Sequence, residues 1–262
     1  MDNHSRIYND ISSTDKFDES SDEFKAFLSR VKDLEVKFIP EIKIHEEISS
    51  PDYSGDPTQI FDQDIIRAFI LLTHAETEDY FESLARKVCT AEYINWKNNG
   101  TPSDIVINLI ATHYSGWDKL DCTIKEYKPL TDQQIKKSGG GVTLAATEKA
   151  YGAYNHILNT NHGIKENNFR NMFIPLGITD RDYNETWLLS LNTFGQIRGS
   201  VAHSSKNVQQ LLNPSDEKKT IIDVIEGTML LDINIKNRLA SQGTAMLARI
   251  NDMQSRLADL DN

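Results

Sequence analysis

An arginine and a histidine separated by four residues, Arg198-Gly-Ser-Val-Ala-His203, are the part of this chain best suited to chemistry on an anion. A guanidinium presents a planar fork of donors that can hold two oxygens of one phosphate and offset negative charge that grows during a reaction. An imidazole, with an ordinary pKa of about 6.5, exchanges protons at neutral pH. The spacing alone carries little weight. With the arginines and histidines present, roughly one such match arises by chance, and a second exists, Arg67 to His74 with six residues between.

The helices around these residues sharpen the choice. At about 100° per residue, Ile65, Phe69, Leu72 and Tyr80 fall within about 40° of Glu76, so the carboxylate sits in an apolar stripe and requires a cationic partner. Arg198 falls within about 40° of Trp187, Leu191 and Phe194. It is read either as that partner or as a chain snorkelling from a helix end. Arg67 and His74 share a face and are read as a solvated or pairing combination. His74 and Glu78 have the i, i+4 spacing a metal could use, but no third ligand is evident, so they are read as a surface pair and no metal or cofactor is expected. His113, His156 and His162 are isolated. Lys136-Lys137-Ser138-Gly139-Gly140-Gly141 resembles a phosphate loop only superficially, because its lysines precede the glycines and no strand feeds it. Trp96 and Trp117 are read as core residues.

The elements that must position these side chains are helical. Seven acids and two basic residues in the first 24 predict a mobile acidic tail, residues 1–24. Phe24, Phe27, Leu28, Val31, Leu34 and Phe38 predict an amphipathic helix, which forms with the connector Ser49–Pro57 an N-terminal extension over 25–56. The remaining residues, 57–262, form the main domain. Helices are predicted over 58–98, 103–114, 142–159, 166–173, 183–197 and from 214 towards 239, with loosening of the chain at Gly199 and Ser204-Ser205. Met246, Leu247, Ile250, Met253, Leu257 and Leu260 form a terminal stripe. No alternating strand pattern or internal repeat is found, so the fold is expected to be all-α. The length of 262 residues suits one large domain or one with an appendage, and 39% hydrophobic residues can bury a core. No apolar run is long enough to span a bilayer, and the first residues do not form a signal peptide. Two cysteines, Cys89 and Cys122, make no disulfide framework. A cytoplasmic protein is expected. The net charge of -11 excludes nucleic-acid binding through overall charge and leaves a local basic patch as the route.

The run Arg67-Ala-Phe-Ile-Leu-Leu-Thr-His-Ala-Glu-Thr-Glu-Asp-Tyr-Phe-Glu82 resembles the opening helix of the RiboL-PSP branch of the HEPN superfamily of helical ribonucleases. Phe173–Ile178, Trp187–Phe194 and the closing Arg198–Ser204 resemble its later parts in the same order, so the resemblance covers about residues 60 to 235. It implies a HEPN-like helical bundle acting as a metal-independent endoribonuclease, a toxin or antiviral effector. In that implied reaction the 2′-hydroxyl of RNA attacks phosphorus and leaves a 2′,3′-cyclic phosphate. Arg198 would bind phosphate, His203 would transfer protons and Glu76 would orient the arginine. Ser200 and Ser204 could donate to the phosphate, and Lys136 and Lys137, with Lys119, Lys125 and Lys128, are the candidate RNA-contacting patch. The rival expectation is a non-catalytic HEPN module that binds a protein or RNA partner in a defence complex. Positions five apart on a regular helix diverge by about 140°. The family's remedy is pairing of two protomers so that both motifs line one cleft, and an antitoxin-like protein is a further expected partner. The pattern departs at Gly199, where the family commonly carries a polar residue, often Asn.

Overall fold

The computed structural model describes residues 6–39, 62–100, 102–115, 143–203 and 212–260, excluding the side chains of Ser115, His203 and residues 242–260. The connector at 49–57 and the lysine- and glycine-bearing stretch from 119 to 141 lie outside the described residues. Among the described residues there are eight α-helices and no strand: α1 (Arg6–Ser12), α2 (Asp22–Phe38), α3 (Gln63–Asn99), α4 (Asp104–Ser115), α5 (Leu144–Asn159), α6 (Glu166–Phe173), α7 (Glu185–His203) and α8 (Pro214–Leu260). Among the described residues, no helix is long and apolar enough to cross a membrane.

Residues 6–24 correct the expectation of a mobile tail. Ile7 and Ile11, four apart on α1, are fully buried, because that spacing places both on one helical face. The acids around them stay outside and dominate the composition, which is why charge counting misreads the segment. Ser21 caps α2, its hydroxyl accepting from the Phe24 N–H at 3.1 Å. The same residue donates its backbone N–H and its hydroxyl to the buried Asp232 carboxylate of α8, both at 2.7 Å. Tyr80 of α3 donates a third bond to Asp232 at 2.8 Å. Glu35, also buried, accepts from the Ile7 N–H at 3.0 Å and pairs with Lys218 of α8 at 3.0 Å. Buried carboxylates are tolerated when partnered in this way.

α3 is the central element. α2 lies antiparallel against it, with Glu23 paired to Lys87, Phe27 stacked on Tyr80 and Arg30 bonded to Glu76. α5 is tied to its far end by Arg86, which donates to Asn155 and Asn159, each at 2.9 Å. α7 crosses the same helix in the opposite direction. Trp187 meets Phe81 and, further along, Phe194 meets His74. Phe169 and Phe173 of α6 complete the aromatic cluster around Phe81 and Trp187. The Trp187 indole donates to the Val224 carbonyl at 2.9 Å. A Cβ on Gly227 of α8 would lie 2.2 Å from Trp187 Cδ1, so only glycine permits that approach.

Two further expectations are corrected. α7 does not loosen at Gly199 but remains helical through His203, and residues from 214 to 260 form one continuous helix of 47 residues.

Candidate functional site

α7 fixes the direction of Arg198. Trp187, Leu191 and Phe194 are buried, and Arg198 follows on their face, half-buried, where the helix reaches the edge of the core. Ser200 is exposed and its hydroxyl donates to the Ile197 carbonyl at 2.8 Å, a bond within its own helix. The backbone of His203 ends α7, but its side chain, together with Ser204, Lys136 and Lys137, lies outside the described residues. On an uninterrupted helix, Arg198 and His203 leave the axis about 140° apart.

The surroundings of Arg198 come from α3 and from the connector between α5 and α6. His74 and Glu78 stand one turn apart on α3, with Nδ1 3.6 Å from Oε2, longer than a hydrogen bond. His74 is 2% exposed, and its ring lies 5.5 Å from that of Phe194, four residues before Arg198. Burial, then the positive charges of Arg198 and Lys165, push its pKa down to about 4. His74 is therefore neutral at neutral pH. Glu78 is pushed above the ordinary carboxylate value by burial and by the neighbouring Glu82, against the opposing influence of Arg198, His162 and the backbone N–H of Gly163. An imidazole and a carboxylate whose pKa values are displaced by desolvation beside a cation are a frequent property of functional sites.

The connector at 160–165 is held in place by side-chain amides. Asn161 donates to Glu82 at 2.8 Å and Asn168 donates to Asn161 at 2.9 Å. Lys165 leads from it across α7: a Cβ on Gly195 would lie 2.6 Å from its Cγ, 3.2 Å from Cε and 3.5 Å from Cδ. The lysine stem therefore occupies the space that any other residue at 195 would fill.

Glu76 does not take the expected role. Its partner is Arg30 of α2, at 2.9 Å on the surface. The buried residues of α3 (Ile66, Phe69, Ile70, Thr73, His74, Thr77, Tyr80, Phe81, Ala85, Val88 and Cys89) centre near Thr77, about 100° around the helix from Glu76. Ile65 and Leu72, which placed Glu76 in an apolar stripe, are 43% and 39% exposed. Thr73 and Thr77 do not register as apolar, yet they line the true buried face; the Thr77 hydroxyl donates to the Thr73 carbonyl at 2.8 Å. The carboxylate that senses the charge of Arg198 is Glu78, and sequence reasoning missed it, although its i, i+4 relation to His74 was a visible signal. Arg67 pairs with Asp64 at 2.9 Å. With His74 buried and neutral, the second arginine–histidine match lacks an imidazole able to exchange protons near pH 7. Among the described residues no group of three or more His, Cys, Asp or Glu side chains is placed to hold a metal ion.

The all-α bundle agrees with the family comparison. The RiboL-PSP-HEPN family model matches residues 25–237, and the chain belongs to that family. No curated protein and no solved structure matches it. α1 and the turn that leads into α2 lie before the matched region.

Proposed function

We propose that this protein is a metal-independent endoribonuclease. The observation that carries the proposal is the placement of Arg198, half-buried at the end of an apolar helical face and electrostatically coupled to His74 and Glu78, in a chain of the RiboL-PSP-HEPN family. The substrate supplies the nucleophile. The 2′-oxygen bonds to phosphorus and gives its proton to a base, the bond from phosphorus to the 5′-oxygen breaks, and that oxygen takes a proton from an acid. The products are a 2′,3′-cyclic phosphate and a 5′-hydroxyl. Arg198 grips the phosphate oxygens and stabilises the charge that builds on them. His203 moves the proton. Glu78, in place of Glu76, positions the arginine.

On an unbroken helix, positions five apart diverge by about 140°. The reading therefore includes two copies of the chain, the arginine of one and the imidazole of the other meeting in a shared cleft. The activity belongs to a toxin or antiviral effector, with an inhibitory protein as a further partner.

The test is end chemistry. Purified protein incubated with mixed RNA and a chelator should produce cyclic-phosphate termini, and His203→Ala should abolish them while leaving helicity and oligomeric state unchanged. Glu78→Gln should lower kcat on the order of tenfold at constant KM, while Glu76→Gln changes neither. Cleavage by His203→Ala equal to the parent would refute the proposal. Absence of cleavage by the parent would favour the second reading, a non-catalytic HEPN module that binds a protein or RNA partner. Gly199, beside the motif arginine, and the net charge of -11 are the features that favour that alternative.

A further inference from the structure

We propose that Lys165 is a second phosphate-binding cation of the Arg198 site, and that Gly195 is the residue that lets it reach there. The proposal rests on the ribonuclease reading and adds a subsite to it, one that binds a phosphate of single-stranded RNA next to the phosphate held by Arg198.

A chain with a net charge of -11 needs a local concentration of positive charge to hold a polyanion. Arg198 alone is one cation, half-buried, with Glu78 within reach of its charge. Lys165 comes from a different element. It is exposed, and three atoms of its stem lie within 3.5 Å of the position a Cβ on Gly195 would take. Gly195 is three residues before Arg198, so the two side chains are neighbours on the α7 surface. Arg198 and Lys165 both act on the same buried imidazole, His74. Of the two carboxylates nearby, Glu82 accepts from Asn161 at 2.8 Å, and burial raises the pKa of Glu78. Two like charges brought to one stretch of helix surface repel each other unless an anion joins them. A stem lying over apolar helix surface with its ammonium in water is the bland account of such a lysine. It does not explain why the helix is left bare by a glycine at that one crossing, at a cost of about 1 kcal/mol in helix propensity.

The experiment uses the full chain carrying His203→Ala, to prevent turnover, and a labelled single-stranded RNA oligonucleotide of mixed sequence titrated across a range of salt concentrations. Lys165→Met, which keeps the stem and removes the charge, should weaken binding about fivefold to tenfold at low salt and make the log Kd against log salt slope shallower by about 0.7, the value for one lost phosphate contact on a single strand. Lys165→Arg should restore both. Gly195→Ala should weaken binding in the lysine-containing chain and have no further effect on Lys165→Met, because the added methyl acts only by displacing the stem. An unchanged slope in Lys165→Met, while the parent binds RNA, overturns the subsite and leaves the ribonuclease reading intact. Equal weakening by Gly195→Ala in both backgrounds overturns the role of the glycine. A parent that neither binds nor cleaves RNA removes the subsite together with the reading beneath it.

Discussion

His74 offers a test of the site's geometry that does not depend on any activity. The ring is 2% exposed and its pKa is lowered to about 4, whereas in the unfolded chain it returns to its ordinary value of 6.5. As pH falls below about 6.5, the unfolded state binds a proton that the folded state refuses, so the stability this residue contributes is present above that pH and is lost progressively down to about pH 4. At about pH 5 the ratio of the two binding polynomials corresponds to a loss of about 2 kcal/mol relative to pH 7.5. Urea unfolding at the two pH values, compared between the parent and His74→Gln, isolates this contribution from other titrating groups. Its cause can be read directly by NMR titration of the His74 ring. Arg198→Gln and Lys165→Met should each raise its pKa, since both charges help to depress it, while Glu76→Gln should leave it in place. A folded-state His74 that titrates near 6.5, or one indifferent to both cations, would refute the placement of Arg198 and Lys165 beside it.

Three other outcomes are expected. Glu217 is 8% exposed, its buried Oε2 lacks a hydrogen-bond partner, and burial followed by the charge of Asp216 raises its pKa to about 7. The folded state keeps this proton where the unfolded state has released it, so stability falls as pH rises from about 4.5 to 7; Glu217→Gln should raise stability at pH 8 by up to about 3 kcal/mol and by little at pH 4, measured by urea unfolding. Gly227→Ala places a methyl against the Trp187 ring and should cost about 1–3 kcal/mol in the same assay, with a change in tryptophan emission. Gly199 has nothing within 4 Å of the position of a Cβ, so Gly199→Ala should stabilise α7 by about 0.5–1 kcal/mol, and under the ribonuclease reading Gly199→Asn should cleave RNA at least as fast as the parent.

How far the sequence could be read depended on how each helix is buried. α7 has one buried face, so angular arithmetic aligned Arg198 correctly with Trp187, Leu191 and Phe194. α3 is packed by α2, α5 and α7 on different sides, and a single-stripe reading of it centres on Glu76 because it counts apolar side chains such as Ile65 and Leu72 as inward, whereas they are exposed. The register of buried threonines was invisible to a hydrophobic pattern. All-α architecture and most helix spans were legible from periodicity and caps, and the helix at 166–173 agreed at both ends. The surroundings of Arg198 were not legible, since His74, His162, Lys165 and Arg198 are brought together only by the packing of α3, α7 and the connector between α5 and α6. The N-terminal segment was misread for a simpler reason: two isoleucines on a short helix are too few to outweigh its acids until Asp232, 211 residues away from Ser21, is known to receive it.

That last separation has a bearing on how the molecule comes into being. Ser21 reaches its carboxylate, and Glu35 its lysine, only on α8. During synthesis the first helices leave the ribosome with their polar anchors absent and their apolar faces, Ile7, Ile11 and Phe24 among them, lacking part of their cover. Contacts this distant along the chain slow folding and prolong exposure of such surface. Completion of this part of the fold thus waits for α8, and a nascent chain stalled before residue 232 cannot yet anchor α1 and α2.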